Sequence, residues 1–146
     1  MTRLRQTEKE MQKAHRVIVA IGSNCHRHAN MQKAMLLIGL KLQGAVFTQA
    51  IDTAPIGMQS ATFLNAMAAA YTPLGIDETI MLLKDIETEC GNTTKLRNEG
   101  KIIADLDLLL YDDEHLHKAD WERPYIKQLL KELENKKHQQ TSTLEL

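Results

Sequence analysis

The apolar positions along the chain predict four β-strands. Val17–Ile21 is a continuous, mostly β-branched run, which is typical of a central strand buried on both faces. Three further segments with strand-like apolar content lie at residues 45–53, 63–71 and 102–111. The last of these contains two aspartates in an otherwise apolar run, so its chemistry requires a separate explanation.

Three other segments have the spacing of amphipathic helices. Apolar side chains recur every three or four positions across residues 29–42, from 77 toward 91, and across 124–133. Asp77 is the predicted N-cap of the second helix, and Pro124 suits the first turn of the third. Gly22–Asn24 is a predicted tight turn with capping chemistry before the first helix.

The resulting order, βαββαβ followed by a helix, predicts the α+β class. We expect a sandwich in which two helices pack on one face of an antiparallel sheet. The predicted organisation is a charged N-terminal extension over residues 1–15, a core domain over 16–113, and a C-terminal helix with a polar tail over 114–146. We expect loops at 54–60 and 92–101, and fraying of the tail after residue 133.

Composition excludes several classes of function. The chain has 146 residues and a net charge of −1, and only 4% of its residues are aromatic, so we expect no nucleic-acid partner. No apolar run approaches the ~20 residues that span a bilayer, and we expect no membrane association. The two cysteines lack a close spacing, which favours a reducing compartment. The chain is predicted to be cytoplasmic and monomeric.

Asp105 and Asp107 are the most informative residues of the sequence. Because residues two apart on a strand point to the same face, their carboxylates converge on one small volume. Unpaired carboxylates in an apolar setting are costly, and a divalent cation such as Mg²⁺ removes that cost with one or two carboxylates, phosphates and water as ligands. The alternative is an edge strand whose aspartates are merely solvated, because the motif is short and common.

Two weaker signals precede the aspartates. Phe63 and Asn65 lie on one face of a predicted strand, where a planar heterocycle could stack on the ring and hydrogen-bond the amide. The alternative, which the pattern alone favours, is a core phenylalanine and an asparagine bonded to backbone. The turn Gly22–Asn24 could bind an anion at a helix start, or could be an ordinary helix cap.

Five blocks of sequence, taken in order, resemble hydroxymethyl-dihydropterin pyrophosphokinase, an enzyme of folate synthesis. The resemblance covers residues 16–113 and is carried by Ala20–Asn24, Thr53–Gly57, Phe63–Ala66, Ile86–Glu87 with Gly91, and Asp105–Leu109. It implies a ferredoxin-like βαββαβ core that binds ATP with two Mg²⁺ ions. The implied reaction transfers pyrophosphate to the hydroxymethyl group of a dihydropterin.

The resemblance also assigns roles to individual residues. Asp105 and Asp107 would hold the magnesium ions, and Glu87 would lie beside the nucleotide. The implied pterin-binding residues are Thr53 and Asn65 as hydrogen-bonding side chains, the backbone of Ala54, Pro55 and Ile56, and Phe63 as one side of an aromatic sandwich.

This chain departs from the family where cations are expected. Family arginines are replaced by Asn92 and Ile102, and the family tryptophan by Glu99. The remaining cations of the segment are Lys95, a nucleotide-binding candidate, and Arg97 and Lys101, the catalytic candidates. The family's C-terminal His-Pro segment and second sandwich aromatic are also missing, and Trp121 or Tyr125 is the candidate substitute for that aromatic.

Three functional hypotheses follow. The first is a divergent pyrophosphokinase that uses Mg-ATP and a pterin. The second is a descendant that binds pterin or nucleotide without catalysis, since transfer depends on neutralising charge and the family arginines are absent. The third is a ferredoxin-like interaction domain with no ligand.

Overall fold

A computed structural model of the chain describes residues 14–54 and 61–145, with side chains described to residue 137. Most of the predicted N-terminal extension lies outside these ranges. The helices are α1 (Arg27–Lys41), α2 (Ile76–Glu89), α3 (Thr94–Asn98) and α4 (Pro124–Glu145), with a 3-10 helix at Lys118–Glu122 before α4. The strands are β1 (His15–Ser23), β2 (Gln43–Phe47), β3 (Ile51–Thr53), β4 (Phe63–Thr72), β5 (Asp105–Tyr111) and β6 (Glu114–His115).

The strands form one antiparallel sheet with β1 at its centre. Their order is β2-β4-β1-β5-β6. Strand β3 pairs with the first residues of β4, whereas β2 pairs with its later residues. Strand β1 pairs with β4 along one edge and with β5 along the other. This confirms the central position that its continuous apolar run predicts. The predicted α+β class and ferredoxin-like architecture are therefore confirmed.

Alternation along β1 distributes its side chains between two core layers. Val17, Val19 and Ile21 face α1 and α2, whose apolar stripes complete the larger layer. Ile18 faces the opposite side, where it packs with Met67, Leu109 and the α4 residues Ile126, Leu129 and Leu133. Each large apolar side chain buried in this way contributes about 1.5–3 kcal/mol, so α4 is a structural layer of the domain.

Helix α4 covers only part of its sheet face. Its buried residues pack near Ile18 and Leu109, whereas Gly22, Asn65 and Asp105, further along the same face, line an open cavity. This uncovered end of the sheet is the position at which polar side chains can meet a ligand.

The predicted strand 45–53 was wrong in one respect, because the chain forms two strands there. The hydroxyl of Thr48 accepts a hydrogen bond from the Met67 amide at 2.9 Å, where a backbone carbonyl would accept it in a regular ladder. The ladder is therefore interrupted between β2 and β3. The Thr48 amide still donates to the Met67 carbonyl, at 2.9 Å.

The predicted loop 92–101 and the predicted strand start at 102 also need correction. Thr93 caps the short helix α3 by accepting from the Leu96 amide at 3.1 Å. Ile102 is buried but precedes β5, because its amide donates to the Asn24 side chain at 2.6 Å instead of to a strand. The side chain of Asn24 also donates to the Gly100 carbonyl at 2.9 Å, which fastens this segment to the end of β1.

Helix boundaries differ from prediction at three places. Ser23 belongs to β1 and helix α1 begins after His26, so Gly22–Asn24 does not cap it. Gly75, not Asp77, is the N-cap of α2, and Asp77 lies in the first turn. The tail expected to fray continues as helix α4 to Glu145. Within the described ranges, no helix has the length and apolarity needed to cross a membrane.

Candidate active site

Two cavities meet at the first residues of β5. The first, about 560 Å³, lies between α2, α3 and β5, and the second, about 310 Å³, lies over the uncovered end of the sheet. Three residues line both cavities, namely Arg97, Asp105 and Asp107. A ligand in either cavity therefore reaches the same two carboxylates.

The register of the sheet explains why the two carboxylates have room. Asp105 pairs with Gly22 and Asp107 pairs with Ala20, so their nearest neighbours on β1 have no side chain or a small one. Gly22 also pairs with Asn65 on its other side, and a Cβ added at Gly22 would lie 3.1 Å from the Asn65 Oδ1 atom. Glycine at this position lets the amide and the carboxylates occupy one surface.

Burial and mutual repulsion shape the electrostatics of the pair. Burial, together with the charge of Asp105, raises the pKa of Asp107 to about 6. The pKa of Glu87 is also raised, mainly by burial, although its carboxylate accepts a 2.7 Å hydrogen bond from the Leu106 amide. Arg97 Nη2 lies 3.5 Å from Asp105 Oδ1.

This donor set suits Mg²⁺ held together with a phosphate. The carboxylates of Asp105 and Asp107 are oxygen ligands of the kind that Mg²⁺ prefers, and their negative charge is only partly offset by Arg97. Among the described residues, no group of three or more His, Cys, Asp or Glu side chains is arranged to hold a metal. The pair therefore leaves coordination positions for water and a ligand.

The second cavity contains the side chains predicted to recognise a pterin. Thr53, Ala54, Phe63 and Asn65 line it, and the Asn65 Nδ2 atom donates to the Thr53 hydroxyl. This bond fixes the orientation of the amide. Pro55 and Ile56, which were predicted to bind the same ligand, lie outside the described residues.

The structure distinguishes the two candidates for a second aromatic. Tyr125, at the start of α4, lines the second cavity together with Phe63. Trp121 lies elsewhere: its ring centroid is 4.2 Å from that of His115, and its indole N–H donates to the Leu116 carbonyl at 2.9 Å. Only Tyr125 of the two is placed to contact a ligand beside Phe63.

The predicted nucleotide-binding and catalytic residues are not all brought together. Glu87 and Arg97 line the first cavity. Lys95 and Lys101 line neither cavity, and Lys101 instead forms an ion pair with Glu99 at 3.6 Å. The roles predicted for these two lysines stay predictions.

Several polar residues that line the two cavities were not predicted as site residues. Asp120 and Arg123, paired at 2.9 Å, line the second cavity, and His117 lines the first. They follow β5 in the segment where the resemblance ends. They lie in or beside the 3-10 helix at Lys118–Glu122, and no motif assigns them to this site.

Comparisons with known proteins identify a matching family and relatives in plants and a bacterium. The sequence pattern of the 7,8-dihydro-6-hydroxymethylpterin-pyrophosphokinase family matches residues 18–135. The chain is 32% identical over 125 residues to the mitochondrial folate synthesis bifunctional protein of Arabidopsis thaliana, covering 77% of this chain and 22% of that protein. It is also 32% identical over 123 residues to the protein of the same name from Pisum sativum, covering 75% of this chain and 23% of that protein.

A bacterial relative has a more similar length. The 2-amino-4-hydroxy-6-hydroxymethyldihydropteridine pyrophosphokinase of Bacillus subtilis (strain 168) is 32% identical over 102 residues, which cover 67% of this chain and 60% of that protein. The chain thus spans less than two thirds of the length of each of these three relatives. Since the two plant relatives are named as mitochondrial, the cytoplasmic location expected here stays a prediction.

Proposed function

The chain belongs to the 7,8-dihydro-6-hydroxymethylpterin-pyrophosphokinase family, and we propose that it transfers pyrophosphate from Mg-ATP to the hydroxymethyl group of a dihydropterin. The first cavity would bind the nucleotide and the second the pterin. The Bacillus subtilis relative is named for this reaction.

One observation carries the proposal, namely that both cavities share Asp105, Asp107 and Arg97. A transfer between two substrates requires that the reacting groups meet within ~3–3.5 Å. Two separate cavities joined at a pair of carboxylates supply such a meeting point.

The proposed chemistry exchanges one phosphorus–oxygen bond for another. The hydroxymethyl oxygen of the pterin attacks the β-phosphorus of ATP, and the bond from that phosphorus to the α,β-bridging oxygen breaks. AMP leaves with the bridging oxygen, and the hydroxyl proton passes to solvent. Such transfers depend mainly on positioning the substrates and on neutralising developing charge.

The residues of the chain would divide these tasks. Asp105 and Asp107 would hold magnesium, which neutralises phosphate charge when bound. Asn65, oriented by its bond to Thr53, would donate to and accept from the pterin edge. Phe63 and Tyr125 would enclose the ring, because both line the second cavity.

Formation of AMP tests the proposal directly. Purified protein, ATP, Mg²⁺ and hydroxymethyl-dihydropterin should yield AMP and a pyrophosphorylated pterin at equal rates. The matched control is a variant with both Asp105→Asn and Asp107→Asn, which keeps the side-chain size and removes the charge. AMP formation no faster than in this control would reject the proposed activity.

A second candidate function, ligand binding without turnover, is favoured by the few cations at the first cavity. Its described lining includes Lys84 and Arg97, whereas Lys95 and Lys101 line neither cavity. Loss of a single donor to transition-state charge costs about 10²–10³ in rate where it has been measured. Calorimetric titration distinguishes the two functions, since heat of binding in the absence of AMP formation supports this one.

A further inference from the structure

The short helix α3 places one cation against the aspartate pair. Arg97, near its end, approaches Asp105 to 3.5 Å while its side chain remains 45% exposed and that of Asp105 39% exposed. Because exposed ion pairs of this kind are weak, another charge can replace either partner without a large loss. The contact is therefore suited to exchange.

Arg97 forms its ion pair with Asp105, and its charge also acts on the nearby carboxylates of Glu87 and Asp107. Among the ion pairs of the described residues, Arg97 appears with Asp105 alone, whereas Lys101 is paired with Glu99. The base of α3 is fixed by the Thr93 cap, and the following segment is held by Asn24. The backbone that carries Arg97 is thus anchored at both ends, and exchange requires only rotation of its side chain.

We propose that Arg97 is a transferable counter-cation: it neutralises Asp105 in the ligand-free protein and moves to the nucleotide phosphates when a divalent cation takes that carboxylate. This inference rests on the proposed function of the site. A guanidinium and Mg²⁺ held by the same carboxylate repel each other. An arriving phosphate offers the guanidinium a new anionic partner whose geometry matches its planar fork.

The exchange predicts opposite effects on two affinities. Without nucleotide, Arg97 competes with the metal for Asp105, so its removal should tighten metal binding. With nucleotide, Arg97 contributes a contact to phosphate, so its removal should weaken nucleotide binding. A residue that merely braces the aspartate would weaken metal binding in both conditions when removed.

The test measures metal and nucleotide binding separately. Mn²⁺ binding to the nucleotide-free protein is followed by the loss of the free-ion electron paramagnetic resonance signal. Binding of α,β-methylene-ATP at saturating Mg²⁺ is followed by calorimetry, since this analogue lacks the bond that the reaction breaks. For Arg97→Gln we expect Mn²⁺ affinity to rise about three- to tenfold and analogue affinity to fall about tenfold.

Two further variants separate charge from geometry. Lys41→Gln removes the same charge at an exposed residue at the end of α1 that lines neither cavity, and it should leave Mn²⁺ affinity within about twofold because salt screens distant charges. Arg97→Lys keeps the charge without the planar fork, so Mn²⁺ affinity should stay near the wild-type value while analogue affinity falls.

The outcomes distinguish this inference from the proposed function. Equal Mn²⁺ affinities for Arg97→Gln and Lys41→Gln, or weaker Mn²⁺ binding in Arg97→Gln, would overturn the exchange. So would unchanged analogue binding in Arg97→Gln. If the wild-type protein binds Mn²⁺ no better than the variant lacking both aspartates, the metal site itself is rejected and the proposed function fails with it.

Discussion

Asp105 lies directly opposite Gly22 in the pairing of β5 with β1. The absence of a side chain on Gly22 leaves space between the carboxylate on one side and the Asn65 amide on the other. The sheet thereby presents a carboxylate, the proposed metal ligand, and a hydrogen-bonding amide on one surface with only a glycine between them. Several properties of the site depend on this arrangement.

Gly22→Ala should weaken pterin binding more than it destabilises the fold. The new Cβ would lie 3.1 Å from Asn65 Oδ1, so the amide must shift from the position in which its bond with Thr53 holds it. We expect pterin affinity to fall about tenfold, as the loss of an oriented hydrogen bond predicts, in a fluorescence titration. Gly39→Ala is the control, because a Cβ there meets nothing within 4 Å. It should leave binding unchanged and stabilise α1 by about 0.5–1 kcal/mol.

Asp107→Asn should stabilise the metal-free protein at neutral and alkaline pH but not in acid. The folded-state pKa of about 6 lies above the ordinary value of 3.8, so the folded protein holds this proton more tightly than the unfolded chain. The native aspartate therefore lowers stability as pH rises from about 4 through 6. In thermal unfolding with EDTA, the variant should have the higher Tm at pH 8 and an equal Tm below pH 4.

The effect of Mg²⁺ on Tm is a second test of the role of Asp107. It should raise the Tm of the wild type at pH 8, because a ligand that binds only the folded state stabilises it, and should have little effect on Asp107→Asn. Asp113→Asn, in the exposed turn after β5, controls for the loss of one negative charge. An equal Tm increase in the Asp113 and Asp107 variants without metal would contradict the burial argument.

Tyr125→Ala should weaken pterin binding, whereas Tyr125→Phe should not. Stacking of aromatic rings contributes about 0.5–1.5 kcal/mol, which corresponds to a roughly two- to tenfold change in affinity. Trp121→Phe is the matched aromatic control, since Trp121 does not line the second cavity. Equal pterin affinities for Tyr125→Ala and the wild type would show that the tyrosine does not contact the ring.

Asn24→Ala should release the segment before β5. The substitution removes the acceptor of the buried Ile102 amide and the donor to Gly100, and an unpaired buried group costs about 1–3 kcal/mol. Urea unfolding should show a loss of this size, and hydrogen exchange at Ile102 should accelerate more than at Leu108, inside β5. Asn24→Asp retains the acceptor and should restore much of the protection at Ile102.

Periodicity predicted most strands and helices because burial repeats regularly along them. The errors in the strand boundaries have one physical cause, since the side chains of Thr48, Asn24 and Asn92 replace backbone hydrogen-bonding partners. A side chain that takes the place of a backbone partner interrupts the strand without changing the apolar pattern of its sequence. Hydropathy therefore locates the buried segments but does not reveal where the ladder stops.

The site was predictable to the extent that its residues lie on one strand face. Asp105 and Asp107 share a face through strand alternation, and Asn65 joins them through the pairing of β4 with β1. Arg123 and Tyr125 reach the same cavity only because α4 packs across the sheet. That placement depends on tertiary contacts far apart in sequence, and local patterns carry no information about it.

Consecutive residues of helix α4 have two roles, because Tyr125 lines the second cavity, the proposed pterin site, and Ile126 is buried in the core. The helix therefore cannot diverge freely as an appended tail would. A substitution that shifts α4 to repack the core also displaces the cavity wall, and one that reshapes the wall strains the core. Selection for stability and selection for ligand recognition therefore constrain the same short segment of backbone at the start of α4.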